Sequence, residues 1–498
     1  VTYDVIVVGA GVVGALTARE LARYDLRVLV LEAGDDAAAG VTKANSAIVH
    51  GGYAEGPETL KGRLCAAGRR LFPVLEAELN FGFRVTGSLV LSVDPDPRPL
   101  EGLLAQGRAN GLDDLELWDA PRVRDHEPSL RAPVTGALWC AGAGVCSPWD
   151  LAYAALENAL AHGVELRLGQ RVTAVEGPFE GAGRWRLSTP TSTFETRFVV
   201  NAAGLGGGSV DALAGLTDST LRFRTGEYLV FARGTGAAVN SVLFPLPGAM
   251  GKGIVVTPTY QGNLLVGPDA RDEVPDAGGD LRHTHADRLA ALVAQAESLV
   301  GPLDLKKAIR SFAGVRPLAP GGDFLVGAAD PAGHPGWHRA VGIQSPGLTS
   351  SPALAAWLVR GLAAEGLALG PKAGFDPFRR PLPAHLSRRA DFLPFAEADA
   401  LTRLPAGDPD RMVCRCEQVR ERDLAEAFSR GVPSLTVDAL KRRTRAGMGW
   451  CQGKFCRPRT AAWLSDRLGR PVSPEEDAAR SGLSRVEGRA LGDLTLPS

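Results

Sequence analysis

Residues 3–34 read YDVIVVGAGVVGALTARELARYDLRVLVLEAG. The opening apolar run of β-branched residues predicts a short buried strand, the stretch after it carries helical periodicity, and LRVLVLEAG predicts a second buried strand. Together they make a βαβ unit of about thirty residues. Gly9, Gly11 and Gly14 form G-x-G-x-x-G between the first strand and the helix. That spacing serves a tight turn, close approach of backbone to a pyrophosphate, and close packing of helix on strand. The helix amino terminus offers unpaired N–H groups and partial positive charge to the phosphates. Glu32 ends the second strand 18 positions after Gly14, where a carboxylate accepts hydrogen bonds from ribose hydroxyls and repels the 2′-phosphate of NADP. The pattern predicts an adenine dinucleotide but does not by itself separate NAD from FAD.

The rest of the chain is consistent with several packed domains. It has 498 residues, 45% hydrophobic and 22% charged, enough for two or three cores. Lys plus Arg number 55 against 56 Asp plus Glu, so no global field recruits nucleic acid or an anionic membrane. The uncharged run from Val5 to Ala18 is shorter than the roughly 20 residues of a membrane span. No transmembrane segment or signal peptide is expected, and the expected location is cytoplasmic, with any membrane association made through a partner. Three later stretches, VELRLGQRVTAVEG, RWRLSTPTSTFETRFVVNAAG and SVLFPLPGAMGKGIVVTPTYQGNLLVGP, read as antiparallel sheet.

The expected fold is α/β. A Rossmann-like dinucleotide-binding domain is assembled from residues 1–85, 148–215 and 310–370, and a mostly antiparallel substrate domain from 86–147 and 216–309. A Pro- and charge-rich linker over 371–410, a small helical cysteine-bearing domain over 411–466 and a tail over 467–498 complete the organisation.

The segments ANSAIVHGGY, VTAVEG, FVVNAAG and VGIQSPGLTSSPALAAWLV resemble the flavin-side and adenine-side elements of the D-amino-acid oxidase superfamily. Within it the chain is most similar, over roughly residues 1 to 370, to FAD-dependent glycerol-3-phosphate dehydrogenases and oxidases, with L-2-hydroxyglutarate oxidases close behind. ANSAIVHGGYAEG, GKGIVVTPTYQGNLLVGP, AGVRP and GIQSPGLTSSP carry that likeness. The resemblance implies FAD, with contacts on Asn45, Ser46, Val172, Ala203, Gly204, Gly314, Ser345, Gly347, Leu348 and Thr349. It implies His50 and Lys252 as catalytic residues and Arg316 as the clamp on a small anionic substrate.

These residue types suit the chemistry. Oxidising an alcohol or amine needs a proton acceptor while hydride leaves for the flavin, and His is poised for that near neutral pH. A Lys stabilises developing alkoxide charge or grips a phosphate, and an Arg binds a carboxylate or phosphate through two parallel hydrogen bonds. The same residues also have plainer readings: His50 as a polar loop group, Lys252 as a solvated hairpin residue, Arg316 as a structural ion pair. His283 and His285 form H-x-H without a nearby third ligand, which argues against metal there.

Of seven cysteines, Cys65, Cys140 and Cys146 are scattered and read as small buried apolar residues, whereas Cys414, Cys416, Cys451 and Cys456 cluster late. The C-x-C and C-x₄-C pairs are 34 residues apart, which is neither the common structural-zinc layout nor the plant-type ferredoxin spacing. MVCRCEQV, RERDLAEAFSRG and GWCQGKFCRPR resemble the bacterioferritin-associated-ferredoxin-like [2Fe–2S] domain; zinc and unliganded thiols are the alternatives. A cluster implies a one-electron or quinone-linked acceptor, or a partner redox subunit, and favours a dehydrogenase over an oxidase. The expected reaction is oxidation of sn-glycerol 3-phosphate to dihydroxyacetone phosphate. The rivals are a 2-hydroxy-acid or amino-acid/opine dehydrogenase, and an electron-transfer subunit.

Overall fold

The computed structural model describes residues 2–179, 184–247, 253–273, 281–383 and 392–473. Strands Thr2–Val8 and Val28–Leu31 pair in parallel, with helix Val12–Leu21 crossing between them. Their β-branched runs are buried on both faces, as a parallel sheet requires. Strand Thr193–Asn201 flanks Thr2–Val8 on the other side, and Trp337–Val341 pairs beyond it, also in parallel. Helices Val12–Leu21, Pro148–Ala161 and Gly347–Ala364 pack in the core on one face. The opposite face buries Trp185, Leu187 and Trp337.

The segment 164–177 divides in a way its alternation does not reveal. Glu165–Arg167 joins the parallel sheet beside Val28–Leu31, contrary to the antiparallel expectation, because it directly follows a helix that returns the chain in the parallel sense. Ala174–Phe179 does form an antiparallel ladder with Arg184–Ser188.

Among the described residues the second sheet has nine strands, all antiparallel except for Val242–Pro245 beside Ser88–Ser92. Its longest ladder pairs Arg222–Phe231 with Ala308–Leu318. The sheet therefore reaches Leu318, beyond the boundary at 309 drawn from sequence, since this whole strand is committed to Arg222–Phe231. The late module consists of a short hairpin, Met412–Cys414 with Val419–Arg420, and helices Glu421–Phe428, Val437–Thr444 and Cys456–Leu468 around their own core.

The stretch expected as a linker is a bonded strap over residues 371–383. Lys372 N donates to Arg23 O, and Arg379 N to Glu78 O. Glu157, in helix Pro148–Ala161, receives Arg379 of the strap at 2.6 Å and Arg430 of the late module at 2.8 Å. Asp36 receives Arg442 at 2.6 Å and Arg443 at 2.8 Å. Two buried carboxylates thus fasten the late module to the nucleotide-binding domain. No helix among the described residues is long and apolar enough to cross a membrane.

Candidate functional site

The first βα turn is built for close backbone contact. Gly9 has φ +104°, and a Cβ there would stand 2.5 Å from the Ala202 carbonyl oxygen; a Cβ on Gly14 would run into the Gly9 carbonyl. Helix Val12–Leu21 has no side-chain cap from Gly11, but Val12 N donates to Thr42 Oγ1 at 3.0 Å. Glu32 accepts from Ala10 N at 2.8 Å and Gly34 N at 2.7 Å, which holds the loop around its carboxylate. Burial pushes the Glu32 carboxyl above its ordinary range, partly countered by these two amides.

From this turn a cavity of about 900 Å³ runs to the mouth of helix Gly347–Ala364, a volume suited to a large cofactor with substrate. It brings together Gly9, Gly11, Glu32, Asn45, Ser46, His50, Ala203, Gly204, Gly314, Arg316, Ser345, Gly347 and Leu348. Three sequence candidates stand elsewhere. Val172 packs with Tyr3, Ile6 and Trp185 on the far face of the sheet. Thr349 points its hydroxyl at the His50 backbone, accepting from His50 N at 2.9 Å. Gly14 packs on the Gly9 carbonyl. Lys252 lies outside the described residues.

At the far end of the cavity the groups face one another. His50 Nε2 is 3.3 Å from Ser345 Oγ, and its ring lies 5.8 Å from that of Phe244. Asn45 ties its own loop, donating to Val41 O and Thr42 O and accepting from Ala47 N. Arg316 donates to the neutral Asp269 carbonyl at 3.0 Å. The ladder places Arg224 directly opposite Arg316, so two guanidinium groups border one cavity. Burial raises the Tyr228 phenol, which also lines it, while Arg316 pulls the other way. Arg224 and Tyr228 escaped the sequence reading. Their spacing along Arg222–Phe231 puts both on one face of the strand, a signal visible at period two once the strand is granted.

In the late module Cys414 ends a strand, Cys416 follows in the turn, Cys451 lies in a second turn and Cys456 opens helix Cys456–Leu468. The thiols meet as two hydrogen-bonded pairs, Cys414 with Cys456 and Cys416 with Cys451. Their charges also couple Cys456 to Cys451 and Cys416 to Cys414. Among the described residues no three Cys, His, Asp or Glu side chains form a ready-made single-metal cage. The hydrogen bond from Cys456 draws Cys414 down to about 7, and amides of Gly447 and Glu417 help. Four sulfurs in two neighbouring pairs, with backbone N–H groups aimed at sulfur, fit a sulfur-ligated iron cluster. Cys65, Cys140 and Cys146 are buried, and among the described residues none of the seven cysteines is in a disulfide.

Residues 4–360 match the family model described as DAO, FAD dependent oxidoreductase. The chain belongs to this family. Residues 412–466 match the BFD-like [2Fe-2S] binding domain. A glycerol 3-phosphate dehydrogenase of Caloramator mitchellensis is 37% identical over 468 residues, covering 94% of this chain and 95% of that protein. A glycerol 3-phosphate oxidase of Mycoplasma pneumoniae is 30% identical, over 72% of this chain and 94% of its own. Among solved structures, dithionite-reduced L-alpha-glycerophosphate oxidase from Mycoplasma pneumoniae with FAD bound superposes with a TM-score of 0.71 at 28% identity, covering 77% of this chain and 99% of that one. This member of the DAO family is thus an FAD-dependent oxidoreductase that carries a second, [2Fe–2S], centre in the module fastened by Asp36 and Glu157.

Proposed function

We propose that this DAO-family chain is a dehydrogenase that oxidises sn-glycerol 3-phosphate to dihydroxyacetone phosphate and delivers the electrons through its [2Fe–2S] module to an acceptor. The observation that carries the reading is the convergence of His50 and Arg316 on one cavity, at the amino terminus of helix Gly347–Ala364. The glycerol 3-phosphate dehydrogenase and oxidase relatives support this choice of substrate.

When bound, FAD supplies a two-electron acceptor and the cluster a one-electron outlet. The protein's own groups do the rest. Arg316 holds the substrate phosphate by charge-assisted hydrogen bonds, whereas Arg224 is already paired with Asp272 at 2.5 Å. His50 Nε2 takes the hydroxyl proton as the carbon gives up hydride, so the alcohol loses one proton and one hydride and becomes a ketone. Ser345 holds the imidazole at Nε2 until the substrate hydroxyl takes its place there, and Thr349 fixes the backbone that carries it. Lys252 belongs to this proposal as the group that steadies developing alkoxide charge. The helix amino terminus at Gly347 favours negative charge on the reduced cofactor. Glu32 and the Gly9–Gly11 turn hold the adenosine and pyrophosphate.

An anaerobic spectral titration with glycerol 3-phosphate, L-2-hydroxyglutarate, proline and opines tests the reading. Glycerol 3-phosphate should bleach the flavin at the lowest concentration. Bleaching by a hydroxy acid or amino acid instead would move the substrate assignment, and no bleaching by any would point to an electron-transfer subunit.

A further inference from the structure

The flavin cleft continues past Glu32 into a further cavity of about 330 Å³. The two spaces share Glu32, Ala39 and Gly40 in their walls, so they are compartments of one cleft. Beyond Glu32 the walls are Ala33 and Gly34 at the end of strand Val28–Leu31, Arg171 from the segment after strand Glu165–Arg167, and Thr436, Asp438 and Arg442 of the late module. The nucleotide-binding domain therefore supplies one side of this compartment, and helix Val437–Thr444 with its N-cap residue Thr436 supplies another.

The late-module side is firmly held. Thr436, Asp438 and Arg442 are only 5%, 6% and 5% exposed, although each borders the compartment. Thr436 Oγ1 accepts from Ala439 N at 3.1 Å and caps the helix. Arg442 donates to Asp36 at 2.6 Å and also to Asp438, so carboxylates of both domains fix its guanidinium plane. Asp36 follows Glu32 by four positions. One short segment thus carries both the carboxylate for the ribose and an anchor for the module.

With the FAD ribose at Glu32, the placement on which this inference rests, the base has the compartment beyond it to occupy. Adenosine presents ribose hydroxyls, an exocyclic amine and a flat aromatic ring. Burial raises the Asp438 carboxyl, but Lys441 and Arg442 draw it down further, so it stays an ionised acceptor suited to the hydroxyl and amine donors. A guanidinium held in one plane, as in Arg442, offers its face to an aromatic base. The compartment has the size of a small-ligand site and opens into the flavin cleft, so its occupant is the far half of the cofactor. We propose that the late module completes the FAD site: Thr436, Asp438 and Arg442 close over the adenosine half, and the cofactor leaves only when the module lifts.

Photo-crosslinking of the full chain tests this, with the cluster in place and FAD exchanged for its 2-azidoadenine or 8-azidoadenine derivative. Mass spectrometry should find at least one of the two probes attached within residues 436–442. Attachment confined to residues 32–43 or to Arg171 would leave the adenosine at Glu32 and overturn the part given to the late module. Attachment to none of these segments would displace the adenosine itself, and the placement at Glu32 would fall together with the proposal. Asp438→Ala should release FAD about tenfold faster on dilution, seen as a rise in free-flavin fluorescence, while cluster absorption stays unchanged. Release at the wild-type rate would overturn the proposal. The crosslink in the wild-type chain decides the matter if this variant fails to fold.

Discussion

Ser345 Oγ lies 3.3 Å from His50 Nε2 across 295 positions of sequence. The contact joins the loop after strand Ile48–Val49 to the turn that opens helix Gly347–Ala364, and it sits beside the Thr349 hydroxyl that holds the His50 amide. If Ser345 orients the imidazole, Ser345→Ala should slow substrate-driven flavin reduction by about tenfold, whereas His50→Ala should slow it by roughly 10²- to 10⁴-fold. Stopped-flow absorbance on FAD-loaded variants checks both. Unchanged reduction in the His50 variant would remove it as the base.

Arg316 donates to a neutral carbonyl, so its charge is available to an anion. Arg316→Ala should raise the substrate Kd by about 10- to 100-fold, the loss of a charged hydrogen bond of roughly 1.5–3 kcal/mol. The oxidised flavin spectrum should stay as in the wild type. Static titration separates the two effects, and a spectrum changed as much as the Kd would assign Arg316 to the cofactor instead.

Glu32 takes two backbone amides inside the dinucleotide turn. Glu32→Ala leaves those donors without their acceptor, at a cost of about 1–3 kcal/mol in the order of the turn. FAD retention on dialysis should drop accordingly, while cluster absorption in the late module is preserved. Equal retention in the two proteins would contradict the role given to Glu32.

Cys451→Ser should abolish the cluster's visible absorption and slow turnover with one-electron acceptors. It should leave anaerobic flavin reduction by substrate nearly intact, because His50 and Arg316 belong to other domains. Flavin reduction falling as far as it does in His50→Ala, at full FAD content, would refute the separation of the two centres.

Asp36 is fully buried. Burial raises its carboxyl and the charges of Arg443 and Arg442 lower it further, for a net depression. A depressed carboxyl contributes stability above the ordinary value of about 4 and loses it as pH falls through the folded value. The fastening between domains should therefore hold at neutral pH and weaken below about pH 4. Asp36→Asn should cost about 3–5 kcal/mol at pH 7, by leaving two guanidinium groups without their carboxylate, and should flatten the acid limb of Tm against pH. Thermal unfolding over a pH series measures both.

Local signals were legible wherever chemistry and spacing lie within a few dozen residues. The Gly9–Gly14 turn, Glu32 at the strand end and the paired cysteines are of this kind. Arg224 was not legible, because its place beside Arg316 depends on a ladder between strands nearly ninety residues apart. Thr349 is a cofactor contact by family resemblance, and only the fold shows its hydroxyl turned toward the His50 backbone. The 371–410 stretch reads as a spacer by composition, since nothing local reveals that Arg379 ends on Glu157, 222 positions earlier in the chain.

The carboxylates at Asp36 and Glu157 also decide how this protein can be taken apart. Cutting the chain after residue 370 would remove Arg379, Arg430, Arg442 and Arg443 together and strand two acids among apolar neighbours, with Tyr153 as the remaining partner of Asp36. A minimal flavin domain would need neutral side chains at both positions before it could stand alone. Dividing the two redox centres is a problem of redesigning an interior, not of trimming a tether.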